Sequence, residues 1–158
     1  MSKGNTFEND ILALIFNATA IADLADNDAT SPATTLTVAL HTADPGEAGT
    51  QLTSETAYTG YARIAVARTT GGWTVTGNSV SPVANIDFGE CTAAAGGPIT
   101  HFSVGTGVAN KLLYKGTVTP NITMAVGVIP RIRPTSTITE DSEMTPAQLL
   151  TLKNDILV

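Results

Sequence analysis

The stretch Thr35-Leu36-Thr37-Val38-Ala39-Leu40-His41 decides the fold class, because its side chains alternate in polarity at every second residue. Leu36, Val38 and Leu40 share one face of an extended chain, while the threonines and Ala39 share the other. This pattern predicts a β-strand with one buried face.

The same two-residue period returns where Ile64 and Val66 alternate with Arg63, Ala65 and Ala67. Further strands are predicted at Gly72–Thr76, Ala84–Phe88, Ile99–Gly105, Lys111–Thr119, Ile122–Val128 and Arg131–Ile138. Segments rich in glycine, proline and asparagine separate them, as is typical of turns. About eight antiparallel strands predict a mainly β protein. A jelly-roll-like β-sandwich fits this count, and a barrel fits it too, because the sequence does not order the strands.

The chain before the first strand follows a helical period instead. Between Thr6 and Asp26, apolar residues recur at three- and four-residue steps, with Phe7, Ile11, Leu14 and Ile15 on one face. Thr6 is a suitable N-cap. We therefore expect an N-terminal helix whose apolar face packs on its own subunit or on a neighbour.

A second helix is predicted at the other end of the chain. After a polar break at 135–143, Thr145 is a candidate N-cap and Pro146 follows at the first helical position. Leu149, Leu152 and Ile156 then form an apolar stripe. The predicted organisation is an N-terminal helix and linker at 1–33, a β-sandwich at 34–138 and a C-terminal arm at 139–158. The arm either folds back or docks on another subunit.

Composition and charge limit the classes of partner. Only 14% of the 158 residues are charged and the net charge is −6, which argues against nucleic acid as a partner. Residues 1–58 carry −7, residues 59–138 carry +4 and the tail from Thr139 carries −3. Segments of opposite sign can attract one another within or between subunits, but a solvated and screened surface is the simpler interpretation.

Cellular location follows from the cysteine count and from the apolar runs. Cys91 is the single cysteine, which excludes an intrachain disulfide and suits a protein made in a reducing cytoplasm. The acidic Glu8 and Asp10 lie where a secretory signal would be positively charged. No apolar run approaches the ~20 residues of a membrane span, so we expect no membrane partner.

The residues that could carry chemistry form no recognised motif. The two histidines, His41 and His101, show no metal-ligand spacing, and Cys91 lacks any catalytic signature around it. His41 is followed by Asp44, which suggests a structural contact between the imidazole and a turn carboxylate, with an acid–base pair as the alternative. Strand alternation puts His101 and Ser103 on a surface or interface face. We expect no enzyme activity, no metal and no cofactor.

Several linked segments resemble a family of small tailed-bacteriophage virion proteins. They are Leu36–Gly49, Tyr58–Arg68, Gly72–Val80, Ile99–Thr106, Lys111–Gly116 and the leading Phe7–Asp10. The resemblance covers roughly 5–141, and the segment from Met144 to Val158 is an addition to the family's usual length. Such proteins are often labelled tail-fibre-like, and some are jelly-roll capsid cement proteins.

The resemblance implies a structural role in the virion. We expect a capsid decoration (cement) protein on the capsid surface that binds the major capsid protein, works as a dimer or trimer, and stabilises the shell through many repeated contacts. The apolar faces at both chain ends are the candidate interface: Phe7, Ile11, Leu14, Ile15, Leu149, Leu152 and Ile156. The alternative is a tail or tail-fibre component that binds a host receptor or another tail protein.

Overall fold

Strands dominate the part of the chain that can be described. The computed structural model describes residues 2–4, 6–7, 10, 20–22, 24–25, 33–76, 79–93 and 96–139. Ten strands occur in these ranges: β1 Ser2–Lys3, β2 Thr35–His41, β3 Ile64–Ala67, β4 Trp73–Thr76, β5 Ser79–Pro82, β6 Ile86–Asp87, β7 Ile99–Gly105, β8 Leu112–Ile122, β9 Arg131–Ile132 and β10 Ile138–Thr139. The mainly β prediction is confirmed.

The strands form three antiparallel sheets. The largest has the order β1-β8-β7-β2-β3, a second has the order β10-β5-β4, and β6 pairs with β9. All described pairs are antiparallel. These strand orders do not confirm a jelly roll, so the jelly-roll-like sandwich stays a prediction.

The predicted strand β2 lies inside the largest sheet, between β3 and β7. Val38 pairs with Ile64 on one side and Val104 on the other. Val38 and Leu40 are each 1% exposed, as the alternation predicts. Ala39 and His41 are also fully buried, so the prediction of a single buried face is wrong at the end of this strand.

The second face of β2 is buried because the following loop, residues 42–63, folds back over it. Where β3 stops pairing, this loop continues the ladder: the Thr56 N–H donates to the Leu40 carbonyl at 2.9 Å, and the Thr42 N–H donates to the Ser54 carbonyl at 2.9 Å. Gln51, in the same loop, is 0% exposed. The loop therefore acts as an inner layer of the protein.

All three sheets contribute to one hydrophobic core. Its buried members are Val38, Leu40, Tyr58, Ile86, Phe88, Cys91, Ile99, Val104, Met124 and Ile138. Because β2, β6, β7 and β10 each supply at least one of them, burial of this shared apolar surface holds the sheets together.

Several strand predictions are confirmed and others are wrong. β7 has the predicted bounds, whereas the predicted strand Ile122–Val128 does not form because β8 runs on through Pro120 to Ile122. Proline is tolerated there because residues 118–121 are paired with neither β7 nor β1, so its missing N–H costs no ladder bond. The predicted strand Arg131–Ile138 is divided into β9 and β10 by a turn in which the Ser136 N–H donates to the Arg133 carbonyl.

The helix predictions are tested only in part. Thr6, Phe7 and Asp10 are helical, but the predicted end at Asp26 is wrong. Ile21 and Ala25 exchange two backbone hydrogen bonds of 2.8 Å and close a turn there. Ile11, Leu14, Ile15 and the C-terminal helix with Leu149, Leu152 and Ile156 lie outside the described residues.

Candidate functional site

His41 lies at the centre of a buried polar cluster. Its Nδ1 is 2.9 Å from the Thr53 carbonyl, and its Nε2 is 2.8 Å from Ser103 Oγ. A carbonyl only accepts, so Nδ1 carries the proton and donates, while Nε2 accepts from the Ser103 hydroxyl. Burial lowers the pKa of His41 below its ordinary value of 6.5, although the bond to Thr53 opposes this. The imidazole is therefore held neutral.

Gln51 completes this cluster from the loop. Its Nε2 donates to the Thr37 carbonyl at 3.0 Å and to Ser103 Oγ at 3.3 Å, and its Oε1 accepts from Thr37 Oγ1 at 2.8 Å. A serine beside a histidine can serve as a nucleophile with its base, but such a pair must reach a substrate carbonyl. His41, Gln51 and Ser103 are each 0% exposed. Their hydrogen bonds connect β2, β7 and the loop inside the protein.

The predictions for His41 and Ser103 need correction, whereas His101 lies at a surface as predicted. Asp44 does not contact His41; it accepts from the Gly46 N–H at 2.9 Å and pairs with Lys115 at 3.0 Å. Ser103 is fully buried instead of lying on a surface face, because the loop covers that side of β7. His101 is half-buried and lines an open groove.

A second polar cluster surrounds Glu55 at the far end of the same loop. The Arg63 guanidinium donates to both Glu55 carboxylate oxygens at 2.7 Å, and the Tyr61 hydroxyl donates to the same carboxylate at 2.8 Å. Burial opposes ionisation, but these hydrogen bonds outweigh it and lower the pKa of Glu55. Arg63 also donates to Asn110 Oδ1 at 2.7 Å, which ties the loop to the turn before β8. Glu55, Tyr61 and Arg63 lie within eight residues of one another, but no motif in the sequence indicated that they meet.

Ion pairs join the oppositely charged segments within the subunit, so the interpretation of a purely solvated surface is wrong for these residues. Lys111 pairs with Asp10, and Lys115 pairs with Asp44 and Glu47. Each of these pairs joins a base of the 59–138 segment to an acid of the 1–58 segment. Much of the charge asymmetry seen in the sequence is therefore neutralised internally.

A large open groove runs beside the second half of β8. It has a volume of about 1050 Å³ and lies between residues 115–122 and residues 131–137. Its charged lining consists of Asp44, Lys115, Arg131 and Arg133, and most of its other lining residues are threonines, serine, asparagine and glycine. Such a lining suits an extended polypeptide better than an apolar small molecule.

A smaller apolar groove of about 350 Å³ lies between the five-stranded and three-stranded sheets. Leu36, Trp73, Val80 and Tyr114 are among its lining residues. Phe7 packs edge-on against Tyr114 with ring centroids 5.5 Å apart. Phe7 is thus the one predicted interface residue that the structure describes, and its role in an interface stays a prediction.

In the described ranges, no group of three or more histidine, cysteine, aspartate or glutamate side chains could hold a metal ion. Within the same ranges, no helix has the length and apolar character needed to cross a lipid bilayer.

Comparison with known proteins identifies the family. The family described as Podophage GP4 fiber I protein gp80 matches residues 2–139. A search of curated proteins found no match. The matched range includes all ten strands, whereas the predicted arm from Glu140 onward lies beyond it. Because the match covers most of its length, the chain belongs to the Podophage GP4 fiber I protein gp80 family, a family of phage virion structural proteins.

Proposed function

We propose that this protein is a non-enzymatic fibre subunit of the phage particle that works by binding other virion proteins. The observation that carries this proposal is the match of residues 2–139 to a family described as a fibre protein. The buried state of His41 and Ser103 supports a structural role, because their hydrogen bonds are used inside the subunit. Neither a cofactor nor a metal has a part in this role.

The disposition of the aromatic side chains favours a protein partner over a host glycan. Receptor sites for sugars present aromatic faces to solvent. The aromatic residues that the structure describes are buried or half-buried, and Tyr58, Tyr61 and Phe88 pack against one another in the core. With a net charge of −6, nucleic acid is not a partner in this proposal, and neither is a membrane.

Capsid decoration is the second candidate, and the distribution of exposed apolar side chains favours it. Leu52, Val108, Val126 and Ile129 are between 51% and 68% exposed and lie in three loops, with Val126 and Ile129 in the same one. Separate contact points suit a protein that makes several weak contacts with the major capsid protein and is retained by their number. A jelly-roll-like sandwich on the capsid surface would be consistent with this role.

Cryo-electron microscopy of intact particles tests both proposals. Density for the ten-stranded fold in fibres or at the tail supports the fibre role, and density over the capsid lattice supports decoration instead. A particle that lacks the protein in both places contradicts both. Particles assembled without the gene serve as the control, since the assigned density must disappear from them.

A further inference from the structure

The outer edge of β8 has no partner strand over half of its length. β8 is 11 residues long, but β1 pairs only with Tyr114 and Lys115 on that edge. From Gly116 to Asn121, no strand in the described ranges lies beside it, and Thr117, Thr119, Pro120 and Asn121 are exposed. An open edge of this kind presents backbone hydrogen-bonding groups that an added strand can satisfy.

Residues of this edge line the large groove together with Lys115 of β8, and the other side of the groove, residues 131–137, carries Arg131 and Arg133. Lys115 and Arg131 already contact carboxylates of their own subunit, namely Asp44 and Asp87. Arg133 is exposed, and its guanidinium makes no hydrogen bond or ion pair with any described residue. A strand that enters this groove can therefore place an acidic side chain against the Arg133 guanidinium.

The sequence supplies an acidic segment of suitable length. Glu140, Asp141 and Glu143 follow directly after β10. Four extended residues span roughly 13 Å at ~3.3 Å per residue. The register of β8 against β7 is interrupted between Thr117 and Ile122, so the regular part of the open edge is its beginning, at Gly116 and Thr117. The charge of the acidic segment matches the groove, and its length is sufficient to reach along this part of the edge.

The path of the chain favours the segment of another copy over its own. Thr137 lines the groove, but Ile138 is buried in the core, and Thr139 pairs with Ser79 in the three-stranded sheet. At Thr139, the last described residue before this segment, the chain has therefore left the groove. The segment of a neighbouring copy can enter the groove from outside.

We propose that the groove beside β8 binds residues 140–143 of a second copy as an added strand, with their carboxylates at Arg133. This inference rests on the proposed function and names the partner as the same chain. Such a contact joins the groove of one copy to the tail of the next, and therefore builds a closed ring or an open filament.

A charge exchange in the full-length protein tests the proposal. Sedimentation velocity over a range of concentrations should show self-association of the unaltered chain, weakened about tenfold by Arg133→Glu. Adding Glu140→Lys, Asp141→Lys and Glu143→Lys to Arg133→Glu should restore it. Thr76→Glu, an exposed site outside the groove, is the control for added negative charge, and thermal melting verifies that each variant folds.

Three results would overturn the proposal. They are a monomeric unaltered protein at all concentrations, association that Arg133→Glu does not weaken, and failure of the exchanged charges to restore it. A monomeric protein would point to the chain's own tail as the occupant. Because this test uses purified protein, its failure is distinguishable from absence of the protein in virions, which would overturn the proposed function.

Discussion

Replacing Ser103 with alanine tests whether the buried polar cluster stabilises the fold. The hydroxyl accounts for a 2.8 Å bond to His41 Nε2 and a 3.3 Å bond from Gln51 Nε2. Ser103→Ala leaves the first group buried without a partner, at about 1–3 kcal/mol, and removes the longer bond, at about 1 kcal/mol. We expect a loss of about 2–4 kcal/mol in the free energy of unfolding, a large part of the ~5–15 kcal/mol of a typical domain.

Urea unfolding followed by circular dichroism measures this loss, and at roughly 2–4 °C per kcal/mol the melting temperature should fall by about 5–15 °C. Ser81→Ala is a matched control on β5, since the Ser81 hydroxyl is half-buried and makes no side-chain hydrogen bond with the described residues. If both variants unfold within about 0.5 kcal/mol of the unaltered protein, the cluster does not stabilise the fold as argued.

Three further predictions follow from the described geometry. The folded state keeps His41 neutral, so the contribution of His41 to stability is complete above pH 6.5 and is lost as the pH falls below that value. Melting temperatures measured from pH 7.5 to 5.5 should therefore decline, and His41→Asn should make this decline smaller. Arg63→Met should lower the free energy of urea unfolding by about 2–3 kcal/mol, because it leaves the largely buried Glu55 carboxylate unpaired. Arg131→Met, at an exposed ion pair, should cause no measurable loss, and equal effects of the two variants would contradict this reasoning. Gly60→Ala should cost roughly 2–4 kcal/mol, since a Cβ would lie 2.1 Å from the Glu90 carbonyl oxygen, while Gly127→Ala, at a similar positive φ in open space, should cost about 1 kcal/mol; a melting comparison that ranks them in reverse would refute the steric argument.

The sequence predicted those strands in which apolar residues recur at every second position. β2 and β7 are such strands, since Val38 and Leu40 on one and Phe102 and Val104 on the other reach the core. β5 was missed, since Ser79–Pro82 contains only one large apolar residue and follows Gly77-Asn78, a dipeptide typical of turns. The end of the N-terminal helix was misplaced because Ile21 and Ala25 keep a helical spacing although they close a turn.

The polar clusters could not be predicted, because their members are brought together by the fold alone. Gln51 lies in a segment rich in threonine and glycine, where nothing indicates burial, and it meets Ser103 from 52 residues away. The alternation along β7 predicted that Ser103 faces solvent, because a strand pattern contains no information about a loop that covers one face of the strand. The groove beside β8 was likewise unpredicted, since the pattern around Pro120 is typical of a turn.

The burial of Gln51 within its loop has a consequence for engineering and for sequence drift in this family. Loops usually accept inserted residues with little penalty, but a peptide placed between Thr50 and Thr56 would have to break hydrogen bonds to both β2 and β7. The turn at Gly127 is a better place for a displayed epitope or an affinity tag, since the space around its Cα is open and Val126 beside it is 68% exposed.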